Sequence, residues 1–367
     1  MIARPIQALF AFAILAFAAL SAVGAAADPA DKKPSLNTFA RPIDRSPPRY
    51  PATPLRRGQE GWVIVSYVVQ TDGTVADPIV VDSSGVEDFE RAARDTVLAW
   101  TFEPATQDGK PVQQCETETQ LTFAIETRER GARKKFASRY KKIRKLLESG
   151  DVDQAEALLD EAMELGEWNL YEYSRLWLLD ASVAHARGDA RAQLRALNRA
   201  IGKKGDFVEN KVVSAVMPLM LQLELTLSDY SAAIATYDEM KKRSKIPDEY
   251  QALVDAVNNI IAAVESERIL RSPAQLSSCH DCEGRWTYKP LRRTFEFANI
   301  VGSLDELELR CDWRLYRSAI TEDRSWKIPE SWGDCQLNVY GVSETTFDFL
   351  EFPEATETLP VVSSSAN

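Results

Sequence analysis

Hydrophobic and polar positions along this chain follow three successive rhythms, and the changes of rhythm mark its parts. Between Trp62 and Val69, the residues Val63, Val65, Tyr67 and Val69 share one face at period two, the pattern of a strand with a buried side. Trp62, Ile64 and Val68 make the other side apolar as well. A cover is predicted for this face, either the following region or a second copy of the chain; β-propensity on a partly exposed strand is the alternative reading. Asp72-Gly73 supplies a hairpin turn into a second strand over Ile79 to Val81. From Val86 to Trp100 the rhythm becomes helical: Phe89, Ala92, Ala93, Thr96, Val97 and Trp100 form one stripe, with Ser84-Gly85 where a cap belongs. After the Asp108-Gly109 turn, Leu121, Phe123 and Ile125 alternate again. The order strand, strand, helix, strand predicts a small ββαβ unit over residues 48–127, its helix lying across the sheet.

A longer helical stretch follows over residues 128–270. Phe136, Tyr140, Ile143 and Leu147 supply the buried side of its first helix. Gly150-Asp151, Gly188-Asp189 and Ser228-Asp229 then each separate two helical patterns, at spacings of 38 and 40 residues. Aligned on those turns, Leu159, Leu197 and Tyr237 correspond, as do Ala162, Ala200 and Met240. Small and large apolar residues recur where two helices must nest. The pattern resembles the tetratricopeptide repeat, whose helical hairpins bury their apolar faces by stacking. It departs from that family in its longer period, in Gln193 where Ala155 and Ala233 stand in the other units, and in Pro218, which interrupts a helix pattern. About three hairpins and a closing helix, Pro247 to Glu265, are predicted.

Period two returns over residues 271–355. Leu307, Leu309, Cys311, Trp313 and Leu315 alternate with Glu306, Glu308, Arg310, Asp312 and Arg314, reading as a half-buried strand with a charged outer face. Phe295 and Phe297, Cys335, Leu337 and Val339, and Phe347 and Phe349 give further strands at sandwich-like spacing. The fold class is therefore multidomain α+β: a ββαβ domain, an α-helical hairpin array and a C-terminal all-β, disulfide-containing module.

Composition narrows the function. A formal net charge of −11 argues against a nucleic-acid binder. Basic residues nevertheless crowd between Arg128 and Lys145. They read either as a solvated helix face or as a docking surface for acidic partners or anionic lipid heads. Residues 1–27 hold Arg4, an apolar run from Ile6 to Val23 and Ala25-Ala26-Ala27 before Asp28, the layout of a secretory signal. An inner-membrane anchor facing the periplasm is the competing reading. Residues 28–47, with Pro29, Pro34, Pro42 and Pro47, read as a linker, and the serine-rich tail, 356–367, as disordered.

Export makes disulfides permissible, and four of the five cysteines lie in the β module. A bridge between Cys311 and Cys335 is predicted from their shared apolar strand faces. Cys115 shares the parity of Leu121 and Phe123 and is expected as a small buried thiol. Cys279-His280-Asp281-Cys282 is open to three readings: a local structural disulfide, a thiol-disulfide site activated by the imidazole, or half of a zinc site. A cytochrome-type haem site needs His directly after the second Cys, where Glu283 stands. There is no phosphate-binding glycine loop and no nucleophile elbow, and the two histidines, His185 and His280, lie far apart. The sequence therefore reads as a non-enzyme without a cofactor.

One stretch has enough detail to carry a family resemblance. Tyr50-Pro51, Glu60-Gly61, Asp72-Gly73, Ser83-Ser84-Gly85 with Phe89, Trp100-Thr101-Phe102-Glu103-Pro104-Ala105 and Asp108-Gly109-Lys110 follow in order. Residues 48–126 thereby resemble the C-terminal domain of the TonB family. The resemblance implies a periplasmic domain that takes a short extended peptide, the TonB box of an outer-membrane receptor, as an added strand. It places the receiving edge at Glu116 to Ile125, with the residues before Tyr-Pro alongside. Arg49, Tyr50, Thr117, Thr119, Leu121 and Phe123 are its implied peptide-binding residues. The sequence departs in Pro47-Pro48-Arg49, where the best-known members carry polar amides, and in lacking both the anchor histidine and the long proline-rich spacer of energy-transducing members. Support of outer-membrane transport is the first functional reading. The second is a periplasmic scaffold without energy transduction, binding other periplasmic segments. A thiol oxidoreductase using Cys279 and Cys282 is the third. Inner-membrane association and a homodimer both remain open.

Overall fold

The computed structural model describes residues 37–125, 131–202, 207–277, 284–321 and 324–354. The leader, the Cys279-His280-Asp281-Cys282 segment and the tail therefore lie outside the described residues.

The first described region runs β1 (Arg41–Asp44), α1 (Ala52–Arg57), β2 (Gly61–Val69), β3 (Val75–Ser83), α2 (Glu87–Leu98), β4 (Thr101–Glu103), β5 (Ala105–Gln107), β6 (Lys110–Val112) and β7 (Gln114–Phe123). Its main sheet is antiparallel, in the order β3-β2-β7. Alternation puts Val63, Val65, Tyr67 and Val69 on the face where α2 brings Phe89, Ala93 and Val97, and these residues form one core with Leu121 and Phe123. The tight turn at Gly73 (φ +84°) depends on glycine, because a Cβ there would sit 2.0 Å from the Phe102 carbonyl oxygen.

Two local expectations change. Ser84 does not cap α2; Val86 holds the N-cap position with no side-chain bond, and Ser84 Oγ accepts from Trp62 N–H instead. The stretch read as linker is partly structured: Arg41–Asp44 pairs with β4, and Thr38 bridges to Thr106. A strand this short is legible only through its partner.

The helical region contains α3 (Lys134–Glu148), α4 (Val152–Leu165), α5 (Leu170–Arg187), α6 (Ala190–Ile201), α7 (Asn210–Thr226), α8 (Tyr230–Arg243) and α9 (Gln251–Val264). Helices α3/α4, α5/α6 and α7/α8 form hairpins. At each turn a residue in the left-handed region, Gly150, Gly188 or Ser228, ends one helix. The following aspartate, Asp151, Asp189 or Asp229, then caps the next by accepting from the backbone N–H three residues on. Asp151→Ala is expected to lower the unfolding free energy by about 1 kcal/mol in a urea titration. Pro218 does not break its helix; α7 runs through it. Among the described residues, no helix is long and apolar enough to cross a membrane.

The last region is a β-sandwich of β8 (Leu270–Gln275), β9 (Arg285–Tyr288), β10 (Thr294–Val301), β11 (Leu304–Cys311), β12 (Leu315–Ala319), β13 (Ser325–Lys327), β14 (Cys335–Gly341) and β15 (Thr346–Phe352). Its two four-stranded sheets have the orders β13-β10-β15-β8 and β12-β11-β14-β9. Phe295, Phe297, Phe347, Phe349, Leu307, Leu309 and Leu337 fill the space between them. Cys311 and Cys335, opposite each other on β11 and β14, are joined by a disulfide.

The apolar face of β2 opposite α2 is covered within the same chain. Trp62 stacks on Phe207, with ring centroids 6.4 Å apart, and Val68 is wholly buried. The charged face of β11, on what the sequence reads as a half-buried strand, provides much of this junction. Glu308 and Arg310 are only 2% and 1% exposed. Arg310 Nη1 donates to the Asp77 carbonyl at 3.0 Å and to Ser66 Oγ at 3.4 Å, while its Nε donates to Glu308 Oε1 at 2.7 Å. Arg285 donates to the carbonyls of Val80 and Val81.

Candidate functional site

Strand β7 ends its sheet, and among the described residues no strand lies beyond it. Its orientation follows from β2. Trp62 gives its N–H to Ser84 Oγ and its carbonyl accepts from Ser84 N–H, so both groups are used on the β3 side. Backbone groups alternate in direction along a strand. Gly61 and Val63 thus face Phe123 and Leu121, their register partners, and the backbone of Thr122 turns away from the sheet.

The far end of β7 is held by Glu60. This buried carboxylate accepts from Ile125 N–H at 2.9 Å and, through its other oxygen, from Leu170 N–H at 3.0 Å. Leu170 is the first residue of α5. The second junction carboxylate, Glu172, is buried and takes bonds from Arg133 and from Asn169 N–H. Sequence reasoning used Glu60 only as part of a motif and missed its role. The available signal was an acidic residue directly preceding a strand whose one polar side chain is Ser66.

The implied peptide-binding residues separate into two groups. Leu121 and Phe123 are core residues, and Phe123 stacks on Phe89 at 4.3 Å. Tyr50 makes edge contacts with Phe89 and Phe123, and its hydroxyl donates to the Gln59 carbonyl. The other three present surface. Thr117 and Thr119 are half-buried on β7, with Thr119 Oγ1 accepting from Arg45 Nη2 at 2.9 Å. Arg49 is exposed and lines a groove of about 600 Å³ between residues 44–52 and α2, together with Arg91 and Trp100. The segment before Tyr-Pro lies against β4, and it meets β7 where Ala40 N–H donates to Gln114 Oε1 and Arg45 Nη2 to Thr119 Oγ1.

Cys115 is buried and free. A register shift between Tyr67 and Val69 breaks the alternation, so the thiol leaves the α2 core and lies near Arg310 and Glu308 of the sandwich. Burial pushes it up to about 12, Arg310 opposing and Glu308 adding to the shift.

A three-stranded antiparallel sheet under one helix, ending on β7, defines a small α/β domain with its last strand at the rim. Residues 46–125 match the family described as Gram-negative bacterial TonB protein C-terminal, and are a TonB C-terminal domain. The chain is similar to Protein TonB of Pseudomonas aeruginosa, 36% identical over 95 residues, which cover 26% of this chain and 28% of the relative. Protein TonB of Vibrio cholerae is 34% identical over 65 residues, 18% of this chain and 27% of the relative. The chain thus spans little more than a quarter of these relatives' length. The solution structure of the Pseudomonas aeruginosa TonB C-terminal domain is 30% identical and matches 25% of this chain and 92% of its own, with a TM-score of 0.22. A Vibrio anguillarum TonB2 structure is 33% identical over 27% of this chain and 93% of its own, with a TM-score of 0.20.

Proposed function

We propose that the protein is a non-enzymatic, periplasmic member of the TonB group that supports transport across the outer membrane by accepting an extended receptor segment along β7. The position of β7 at the end of its sheet carries this reading, because strand addition needs a row of backbone groups directed away from the ladder. Side-chain selection falls to Thr117, Thr119 and Arg49, which present surface, while Tyr50, Leu121 and Phe123 anchor the strand in the core under α2. The helical hairpins, read as tetratricopeptide-like units, and the sandwich then carry the accepting strand as one body. Bonds from Glu60 and Arg310 into the neighbouring regions favour this reading over a freely swinging domain.

Titration of the full chain with synthetic TonB-box peptides, followed by backbone amide shifts, tests the proposal. Shifts are expected along Thr117 to Thr122. Thr122→Pro removes an outward N–H while sparing the inner ladder, a substitution edge strands tolerate, and is expected to weaken binding at least about tenfold. Shifts confined to the β2–β3 hairpin, or unchanged affinity in Thr122→Pro, would refute strand addition.

A further inference from the structure

A second site, unrelated to β7, lies where the three regions meet. A cavity of about 480 Å³ is bounded by Val81 of β3, by α6 and its cap Asp189, by the turn Leu227-Ser228-Asp229 that leads into α8, and by β8 and β9. Helix α6 contributes Arg191, Arg195 and Asn198, at helical spacing on one side, and β9 contributes Arg285 and Trp286.

The arginines differ in how they are used. Arg285 is fixed by the carbonyls of Val80 and Val81, at 2.9 and 3.1 Å. Arg191 and Arg195 have no hydrogen bond or ion pair among the described residues. Arg191 is half-buried. Burial, and then the like charge of Arg195, depress its pKa, with Asp189 and Asp229 opposing. A guanidinium has five N–H donors and is costly to desolvate without acceptors.

Three carboxylates also line the cavity, and each has other work. Asp189 accepts from Ala192 N–H at 2.8 Å. Asp229 accepts from Ala232 N–H and Ser231 Oγ, and burial raises its pKa, weakening it as a counter-charge. Glu344 accepts from Gln275 Nε2. At the starts of α6 and α8 the cavity meets these two caps, Asp189 and Asp229, already engaged by the N–H groups of their own helices, so the arginines are what it offers to an anion.

The geometry points to a binding site for a small oxyanion, a carboxylate or phosphate group, held in a fork by Arg191 and Arg195 against Arg285 and the wall of Trp286. Planar guanidinium donors match both groups. Trp286, stacked on Tyr288 at 5.1 Å, offers a flat surface for whatever carries the anion.

Isothermal titration of the full chain with inorganic phosphate and with citrate, at constant ionic strength in chloride buffer, tests this. Saturable binding of either is expected, and the tighter of the two identifies the oxyanion class. Arg191→Gln is expected to weaken it at least about tenfold, whereas Lys141→Gln, on exposed α3, leaves it unchanged. If Arg191→Gln lowers the melting temperature of the free protein, Arg195→Gln, at an exposed position, carries the same comparison. Absence of saturable binding for both anions overturns the site, as does equal affinity in the arginine variants.

Discussion

Arg310→Ala is expected to lower the unfolding free energy by about 3 kcal/mol, because it leaves a buried carboxylate short of one of its two charge partners and strips a part-buried carbonyl of its donor. The carboxylate is Glu308, which also accepts from Arg317 Nε at 2.8 Å and Asn338 Nδ2 at 3.1 Å. The carbonyl belongs to Asp77, across the junction with the TonB domain. Burial alone would raise the Glu308 pKa; Arg310 and then Arg317 outweigh it and hold the carboxyl below its usual range. The sign of the pH dependence follows. Stability from a depressed carboxyl is present above its unfolded pKa and is lost as pH falls through the folded value. The variant should therefore lose most relative to wild type near neutrality and least in acid. Urea unfolding at pH 7 and pH 4 measures both. A loss under about 1 kcal/mol at pH 7 would mean that water reaches the junction and the network is only a surface pair.

The second large effect has the opposite sign. Glu224, 3% exposed between α7 and α8, accepts from Thr236 Oγ1 at 2.9 Å through one oxygen, while the other has no hydrogen-bond partner among the described residues. Burial pushes this carboxyl up to about 7, with Thr236 opposing and Asp229 adding to the rise. For a raised carboxyl, stability is fully present below the unfolded pKa, ordinarily 4.5, and is lost as pH climbs toward 7. Relative to Glu224→Gln, wild type should lose about 3 kcal/mol across that window. The variant should be the more stable protein at pH 8. Paired urea titrations at pH 5 and pH 8 decide it, and parallel curves would remove Glu224 as a titrating core residue.

How much of this was legible depends on how far each feature reaches. Alternation at Val63 to Val69 and the stripe from Phe89 to Val97 are local signals, and they gave the right elements on the right faces. The repeated Gly-Asp and Ser-Asp turns marked hairpins because cap chemistry is written in adjacent residues. Glu308 and Arg310 misled, since period two tells which side of a strand they occupy but not what lies beyond it. Their opposite charges two residues apart on one face were the only hint of burial. Cys115 was assigned to the wrong side of β7 because a register shift is invisible until the partner strand is known. Of the residues implied to bind peptide, Leu121 and Phe123 illustrate the limit of inference by likeness, which names a strand without saying which of its side chains point inward.

The clamp at Glu60 has a mechanical consequence. A ligand tugging along β7 would load the rungs it shares with β2 side by side, in shear, so that none opens before the others. At the strand's end the same carboxylate passes tension directly into the first turn of α5. Traction applied at the rim would therefore reach the helices through the two hydrogen bonds of one side chain.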